Sequence, residues 1–279
     1  MKLYLSIDLE SWVYPDIPAF QRLNSKERKK IDDGYIRDST NRILDILSKY
    51  DQKITFFIIA EMFEWYPEIF ASIRKAGHEL AYHSYKHSKI LNANILRKEI
   101  DDSREFLQEF KPIGFRAPNI FLPEEALATL VEASFLYSSS TYASYLDKIE
   151  TNICNISEFP ISTLVYSYSN GRSIKYPRPL QLGMLTKEIP FGSGYFFASL
   201  PKSLIVKCID EYHKKEKPVF MFIHNWQIVP PKGNSFPNMK YILTHPTYLP
   251  YTLSVREKFE FFLKNFTIGK MEELCKHSL

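Results

Sequence analysis

A chain of 279 residues, 45% hydrophobic and 24% charged, has the composition of a globular protein long enough for one large domain or two small ones. A net charge of only +4, with Lys and Arg scattered, argues against an electrostatic nucleic-acid binder, and its densest basic run, Lys26 to Lys30, reads as a solvated helix start or loop. Three widely spaced cysteines, Cys154, Cys208 and Cys275, without a CxxC pair, argue against a disulfide framework and a thiolate zinc site and fit a reducing compartment.

Leu3 to Ile7 is a short apolar strand that ends in Asp8-Leu9-Glu10. The stretch from Met1 to Asp8 is too short and turns acidic too soon for a signal peptide, and no apolar run reaches membrane-spanning length. Both lead to an expected cytoplasmic location. Asp38 to Lys49 carries Ile43, Leu44, Ile46 and Leu47 at helical spacing, with Asp38 or Ser39 as N-cap. Lys53 to Ile59 is a second strand. Tyr66-Pro67 opens a helix that runs to Lys75 and stops at Gly77. A buried strand with Leu80 and Ala81 then leads into His83-Ser84-Tyr85-Lys86-His87.

Ile95 to Phe110 reads as a charged amphipathic helix, Gly114-Phe115-Arg116 as a short strand and Pro123 to Glu132 as a helix. Strands are expected at Phe135 to Ser138 and Ile156 to Ile161, a helix at Pro201 to Lys215, the most apolar strand at Pro218 to Ile223, and a last helix at Ser254 to Phe266. Two stretches interrupt the alternation. Thr163 to Leu185 holds the turn signal Ser169-Asn170-Gly171-Arg172, and Val229 to Tyr251 reads as a long loop suited to a lid or substrate wall. Strand-helix units over the whole length, with no linker and no repeat, predict one α/β domain, residues 1–279, built on a parallel sheet or barrel.

Four polar segments fall at predicted strand ends: Asp8-Leu9-Glu10, His83 to His87, Gly114 to Pro118 and Phe222 to Trp226. Parallel α/β proteins gather their chemistry at such ends. His83 and His87 face one point if the segment makes a helical turn after His83. Two neutral imidazoles with a carboxylate make an open catalytic metal site. Positions 8 and 10 share a strand face, so both carboxylates reach that site. Two acids, three histidines and an arginine on one rim fit metal-assisted hydrolysis, with one acid as base and an imidazole as proton donor. The lone His78, His213, His245 and His277 read as structural or exposed. Gly192 to Gly194 reads as a tight turn, since no Lys-Ser/Thr follows to hold a phosphate. The aromatic content of 15% reads as core rings, or as a cleft that stacks on sugars.

The order and wording of these segments resemble the polysaccharide deacetylases, the NodB-type domain of carbohydrate esterase family four. The match is densest from Ile54 to His87, where Thr55-Phe56-Phe57, Tyr66-Pro67, Ala76-Gly77-His78-Glu79 and His83-Ser84-x-x-His87 follow in order. Gly192-x-Gly194-Tyr195-Phe196 and His224-x-Trp226 resemble a subgroup associated with envelope and exopolysaccharide synthesis. The resemblance implies a distorted (β/α) barrel of about seven parallel strands with surrounding helices. It implies one divalent metal, zinc before cobalt or nickel, on Glu10, His83 and His87. Asp8 is then the general base, Arg116 its support and His224 the general acid. The backbone N–H of Asn119 faces the oxyanion, and Asn119, Tyr195 and Trp226 are the implied substrate contacts, Trp226 suiting core packing equally well.

This chain departs from the family pattern in three places. Leu9 separates two acids that are adjacent in many members, which makes the base and ligand roles of Asp8 and Glu10 exchangeable. No acid matches the one that tunes the general-acid histidine; Ser138 to Ser140 stand in its neighbourhood, with Glu158 the nearest substitute. Asn119-Ile120 replaces a Tyr-Gly pair. The implied activity is removal of an N-acetyl or other N-acyl group from an amino sugar, in a cell-envelope polysaccharide or its nucleotide- or lipid-linked precursor. A deformylase, a non-sugar amidase and a non-catalytic glycan binder are the alternatives.

Overall fold

The computed structural model describes residues 2–13, 20, 22–152, 155–167, 171–231, 243 and 249–275, apart from the side chains of Leu182 and Tyr251. Cys154, the Ser169-Asn170 turn signal, His245, His277 and most of the Val229 to Tyr251 stretch lie outside the described residues. Seven strands make the central sheet: β1 (Leu3–Leu9), β2 (Thr55–Ile58), β3 (Glu79–Tyr82), β4 (Gly114–Phe115), β5 (Tyr137–Ser138), β6 (Ser157–Glu158) and β7 (Val219–His224). Their order is β7-β1-β2-β3-β4-β5-β6, and every neighbouring pair is parallel.

Parallel neighbours cannot be joined by tight hairpins, so helices fill the crossovers. Those used below are α1 (Ser25–Asp32), α2 (Tyr35–Lys49), α3 (Pro67–Lys75), α4 (Ala93–Asp102), α5 (Arg104–Phe110), α6 (Leu127–Glu132), α7 (Gly194–Ser199), α8 (Lys202–Lys214), α9 (Asn225–Ile228) and α10 (Arg256–Asn265). Both faces of the sheet are covered, and β1 is buried at every residue.

Side-chain alternation sorts the strands into two layers. Leu3, Leu5, Ile7, Phe56, Ile58, Leu80, Phe115, Val219, Met221 and Ile223 pack outward against the helices. Tyr4, Phe57, Ala81, Tyr137 and Phe220 form an inner cluster. Continuing the inner parity up the strands leads through Ser6 to Asp8, from Ala81 to His83, and through Phe222 to His224. The polar rim is thus the last turn of the same alternation that builds the aromatic floor.

Gly114 shows how tightly that floor is filled. A Cβ there would lie 2.0 Å from the Tyr137 ring. Gly114→Ala is therefore expected to cost about 2 kcal/mol by overpacking, read as a lower urea midpoint at unchanged slope.

The sheet curls into a half-barrel. Among the described residues its edges, β6 and β7, share no ladder; the gap is bridged in other ways. Phe159 stacks on Phe220 at 5.2 Å, Phe220 N–H donates to Ser162 Oγ at 2.9 Å, and Phe222 N–H donates to the Gly192 carbonyl at 2.8 Å. The Gly192 segment is thus a structural turn stitched to β7.

Three local expectations need correction. Helix α2 begins at Tyr35, with Gly34 at φ 80° as N-cap; Asp38 and Ser39 lie inside it, and Ser39 faces the core. The run from Ile95 to Phe110 is two helices broken at Ser103, whose hydroxyl bonds the Glu99 carbonyl and the Tyr82 hydroxyl, both at 2.8 Å. In the basic run on α1, Arg28 is buried and ion-paired with Glu61, because an amphipathic helix turns one member of any charge run inward.

Candidate active site

The rim gathers Asp8, Glu10, His83, His87, Arg116 and His224. Glu10 Oε1 lies 3.0 Å from His83 Nε2, 3.6 Å from His87 Nε2 and 4.0 Å from His224 Nε2. Asp8 Oδ2 is 4.0 Å from His83 Nε2. The ligand atoms of Glu10, His83 and His87 fall within 4.8 Å of one another, as do those of Asp8, Glu10 and His224. Metal bonds to nitrogen and oxygen at tetrahedral angles separate neighbouring ligand atoms by roughly 3.3 Å, and 3.0 and 3.6 Å bracket that value. His83 Nδ1 donates to the Arg116 carbonyl at 2.7 Å, which fixes the tautomer and leaves the Nε2 lone pair aimed at the cluster. The residues therefore fit a small divalent ion.

The field of the site points the same way. Burial alone would raise the Glu10 carboxyl, but the His87, His83 and His224 imidazoles outweigh it and bring it down to about 2. Burial would lower His83, and its bond to Glu10 together with the charges of Asp8 and Glu10 raises it instead. Two closely spaced acids demand a cation, and a metal can take the place of the protons.

The segment carrying both imidazoles does not form the expected helical turn. Ser84 and His87 have φ of 73° and 60°, a left-handed bend rather than a helix. The bend is imposed from outside. Glu99 on α4 accepts the N–H groups of Tyr85 at 2.8 Å and Lys86 at 3.1 Å. Ala60 N–H and Glu61 N–H donate to the Ser84 and Tyr85 carbonyls, and Ser84 Oγ accepts the His87 N–H at 3.0 Å. Buried Glu99 is thus part of the site, and no local motif announces it.

Arg116 is fully buried. Its Nη1 donates to Asp8 Oδ1 at 2.5 Å and to Ser6 Oγ at 2.9 Å, and its Nη2 donates to Ser139 Oγ at 2.9 Å. The guanidinium lies 3.8 Å from the centre of the Phe57 ring, with Phe222 5.0 Å away. Asp8 is thereby held in one orientation, Oδ1 toward Arg116 and Oδ2 toward His83.

His224 is placed by three neighbours. Its backbone N–H and Nδ1 face Gln227 Oε1 at 2.9 and 3.2 Å, while Gln227 Nε2 donates to the Gly194 carbonyl at 3.0 Å. That last bond makes Oε1 the acceptor, so Nδ1 carries hydrogen and Nε2 faces Glu10. The Trp226 ring lies parallel to the imidazole at 4.3 Å. A Cβ on Gly194 would stand 3.2 Å from His224 Nδ1 and 3.0 Å from Gln227 Oε1. Gly194→Ala is expected to lower turnover roughly 10-fold by displacing His224, with an unchanged far-UV circular dichroism spectrum.

Glu158 is not the partner of His224. Its Oε1 accepts the Ser140 N–H at 2.7 Å in the turn after β5, and burial pushes its carboxyl up to about 7. The neutral amide of Gln227 takes the position beside His224, and the spacing His224-x-x-Gln227, that of a capping box, is the signal that could have found it.

The other expected substrate contacts flank this centre. Asn119 is exposed at φ 59° in the turn that follows Arg116, and Tyr195 sits on the first turn of α7 against Phe196. Side chains of Asp8, Glu10, His83 and Arg116 are at most 3% exposed, whereas those of His87 and His224 reach 10% and 12%. Solvent therefore meets the cluster between these two imidazoles. His78 is structural: its Nδ1 accepts the Ile54 N–H at 3.2 Å, and burial lowers the ring to about 4.

Residues 30–137 match the family model described as polysaccharide deacetylase. That segment holds His83, His87 and Arg116. The chain is 32% identical over 92 residues to peptidoglycan-N-acetylmuramic acid deacetylase PdaC of Bacillus subtilis, covering 31% of this chain and 20% of that protein. It is 30% identical over 133 residues to a peptidoglycan-N-acetylglucosamine deacetylase of Bacillus cereus, covering 45% and 48%. The matched region thus spans less than half the length of either relative. Among solved structures, one from Mycobacterium smegmatis described as a polysaccharide deacetylase superposes with a TM-score of 0.58 at 17% identity, over 99% of this chain and 89% of that one. Puue allantoinase superposes with a TM-score of 0.52 at 14% identity, over 99% and 89%. These two likenesses establish a shared fold.

Proposed function

We propose that this chain, which belongs to the polysaccharide deacetylase family, is a metal-dependent hydrolase that removes an N-acetyl or other N-acyl group from an amino sugar of a cell-envelope glycan or its precursor. The observation that carries the proposal is the convergence of Glu10, His83 and His87 beside the Asp8–Arg116 pair and His224. A binding module has no use for a buried base and a proton donor gathered at one metal site.

A divalent ion on Glu10 Oε1, His83 Nε2 and His87 Nε2, with zinc preferred and cobalt or nickel next, would supply the Lewis acidity that polarises an amide carbonyl and acidifies a water. The donor distances support Glu10 as the ligand, since its oxygen approaches both imidazoles, while Asp8 Oδ1 is committed to Arg116. Asp8 takes the proton of the attacking water on Oδ2, and Arg116 keeps that oxygen turned inward. His224 enters this step doubly protonated, gives its Nε2 proton to the departing amine and is left as the neutral ring with Nδ1–H on Gln227 Oε1. The backbone N–H of Asn119 faces the developing oxyanion, a kind of contact that contributes roughly 3 kcal/mol in other hydrolases. Asn119, Tyr195 and Trp226 contact the sugar.

The peptidoglycan deacetylases among the relatives support an N-acetylated envelope glycan as substrate class. A panel of N-acetylated and N-formylated amino-sugar glycans, nucleotide sugars and ureides, assayed for acetate, formate and ammonia, tests the reading. Acetate from an amino-sugar substrate is the expected outcome. Formate alone assigns a deformylase, and ammonia from a ureide a non-sugar amidase. Tight glycan binding by titration calorimetry with no acyl release from any substrate overturns the enzyme reading.

A further inference from the structure

Glu10 lies one residue past the end of β1, beyond the last paired positions of both its ladders. Strand pairing therefore no longer fixes its backbone, although a ligand must be held to within roughly half an ångström. Two contacts from outside the sheet take over. Asn225 Oδ1 accepts the Glu10 N–H at 3.1 Å, and Ser11 Oγ, one residue on, donates to Asp32 Oδ1 at 2.6 Å. Asn225, Ser11 and Asp32 are all buried.

The orientation of the Asn225 amide is dictated by its other neighbours. Its Nδ2 donates to Tyr35 Oη and to Ser39 Oγ on α2, both at 3.3 Å. The hydroxyl hydrogens of these residues are already committed, Tyr35 to the Val229 carbonyl at 2.7 Å and Ser39 to the Ile36 carbonyl at 3.2 Å. Both hydroxyls can offer Asn225 only lone pairs, so the amide nitrogen must face them and the amide oxygen must face Glu10.

We propose that Asn225 is a positioning residue for the metal ligand. It pins the backbone of Glu10 and, as the neighbour of His224, ties ligand and proton donor to the same strand end. The inference rests on the reading of Glu10 as a ligand. Asn225 touches neither metal nor substrate and acts through Glu10.

The test measures Zn²⁺ and Co²⁺ affinity of the metal-stripped full chain by competition with a chromophoric chelator, with the Co²⁺ visible spectrum as a second readout. Asn225→Leu, nearly the same shape without the hydrogen bonds, is expected to lose 10- to 100-fold in affinity, of the order seen for other outer-shell partners. The Co²⁺ bands should shift, and far-UV circular dichroism should stay native. Asn225→Asp keeps the acceptor and should recover most of the affinity. If Asn225→Leu does not fold, the Tyr35→Phe/Ser39→Ala double variant, which frees the amide to invert, should lose several-fold. Glu10→Gln is the reference. Should Glu10→Gln weaken binding while Asn225→Leu, or the double variant in its place, binds within about two-fold of wild type, the inference is overturned and the ligand reading stands. Should Glu10→Gln bind as wild type does, the ligand reading itself has failed.

Discussion

Asp8→Asn is expected to lower kcat roughly 100- to 10,000-fold while leaving the metal bound. Asn is close in shape and keeps an oxygen for the 2.5 Å contact with Arg116 Nη1, but it cannot take a proton from water. The metal should remain, because Glu10, His83 and His87 supply the close donor set and Asp8 stands 4.0 Å from the nearest imidazole nitrogen. Glu10→Gln should do the reverse and lose metal first. Turnover with added zinc and elemental analysis of the same samples separate the two. An active Asp8→Asn protein beside a metal-replete but inactive Glu10→Gln protein exchanges the roles of the two acids.

Arg116→Met is expected to destabilise the fold by about 3–5 kcal/mol, since it strands a buried carboxylate. A Met side chain can still lie between Phe57 and Phe222, so packing changes less than charge. The loss should come from Asp8, Ser6 and Ser139, whose bonds to the guanidinium all vanish. Urea unfolding of Arg116→Met, Asp8→Asn and the double variant forms a cycle. The double variant should be more stable than the sum of the single losses allows, because it removes the orphaned charge. Strict additivity would mean that the pair is not the reason Arg116 is buried.

Much of the site is legible in the amino-acid order because strand alternation is local. Apolar runs that end in Asp8, His83, Arg116 and His224 announce both the strands and the rim, and the parity that buries Tyr4, Phe57 and Phe220 delivers those side chains to one place. What stays hidden is imposed from a distance. The left-handed bend through Ser84 and His87 depends on Glu99 and on backbone bonds from Ala60 and Glu61, none of which the local sequence encodes. Asn225 and Gln227 act through amides whose orientation is set by Tyr35, Ser39 and Gly194. Arg28 hides in a run of surface charges, and Ser103 splits a periodic helix because Tyr82 reaches it from β3. Glu158, chosen by its place in the chain, is bound instead into the turn that follows β5.

On the proposed function, His83 and His87, with Glu10, carry the metal on which hydrolysis depends. Elemental analysis of the purified wild-type chain and of the His83→Ala/His87→Ala double variant tests it most directly. One divalent ion per wild-type chain, with none above background in a double variant of native circular dichroism, is the expected result. Full occupancy in the double variant would show that His83 and His87 are not the metal's ligands.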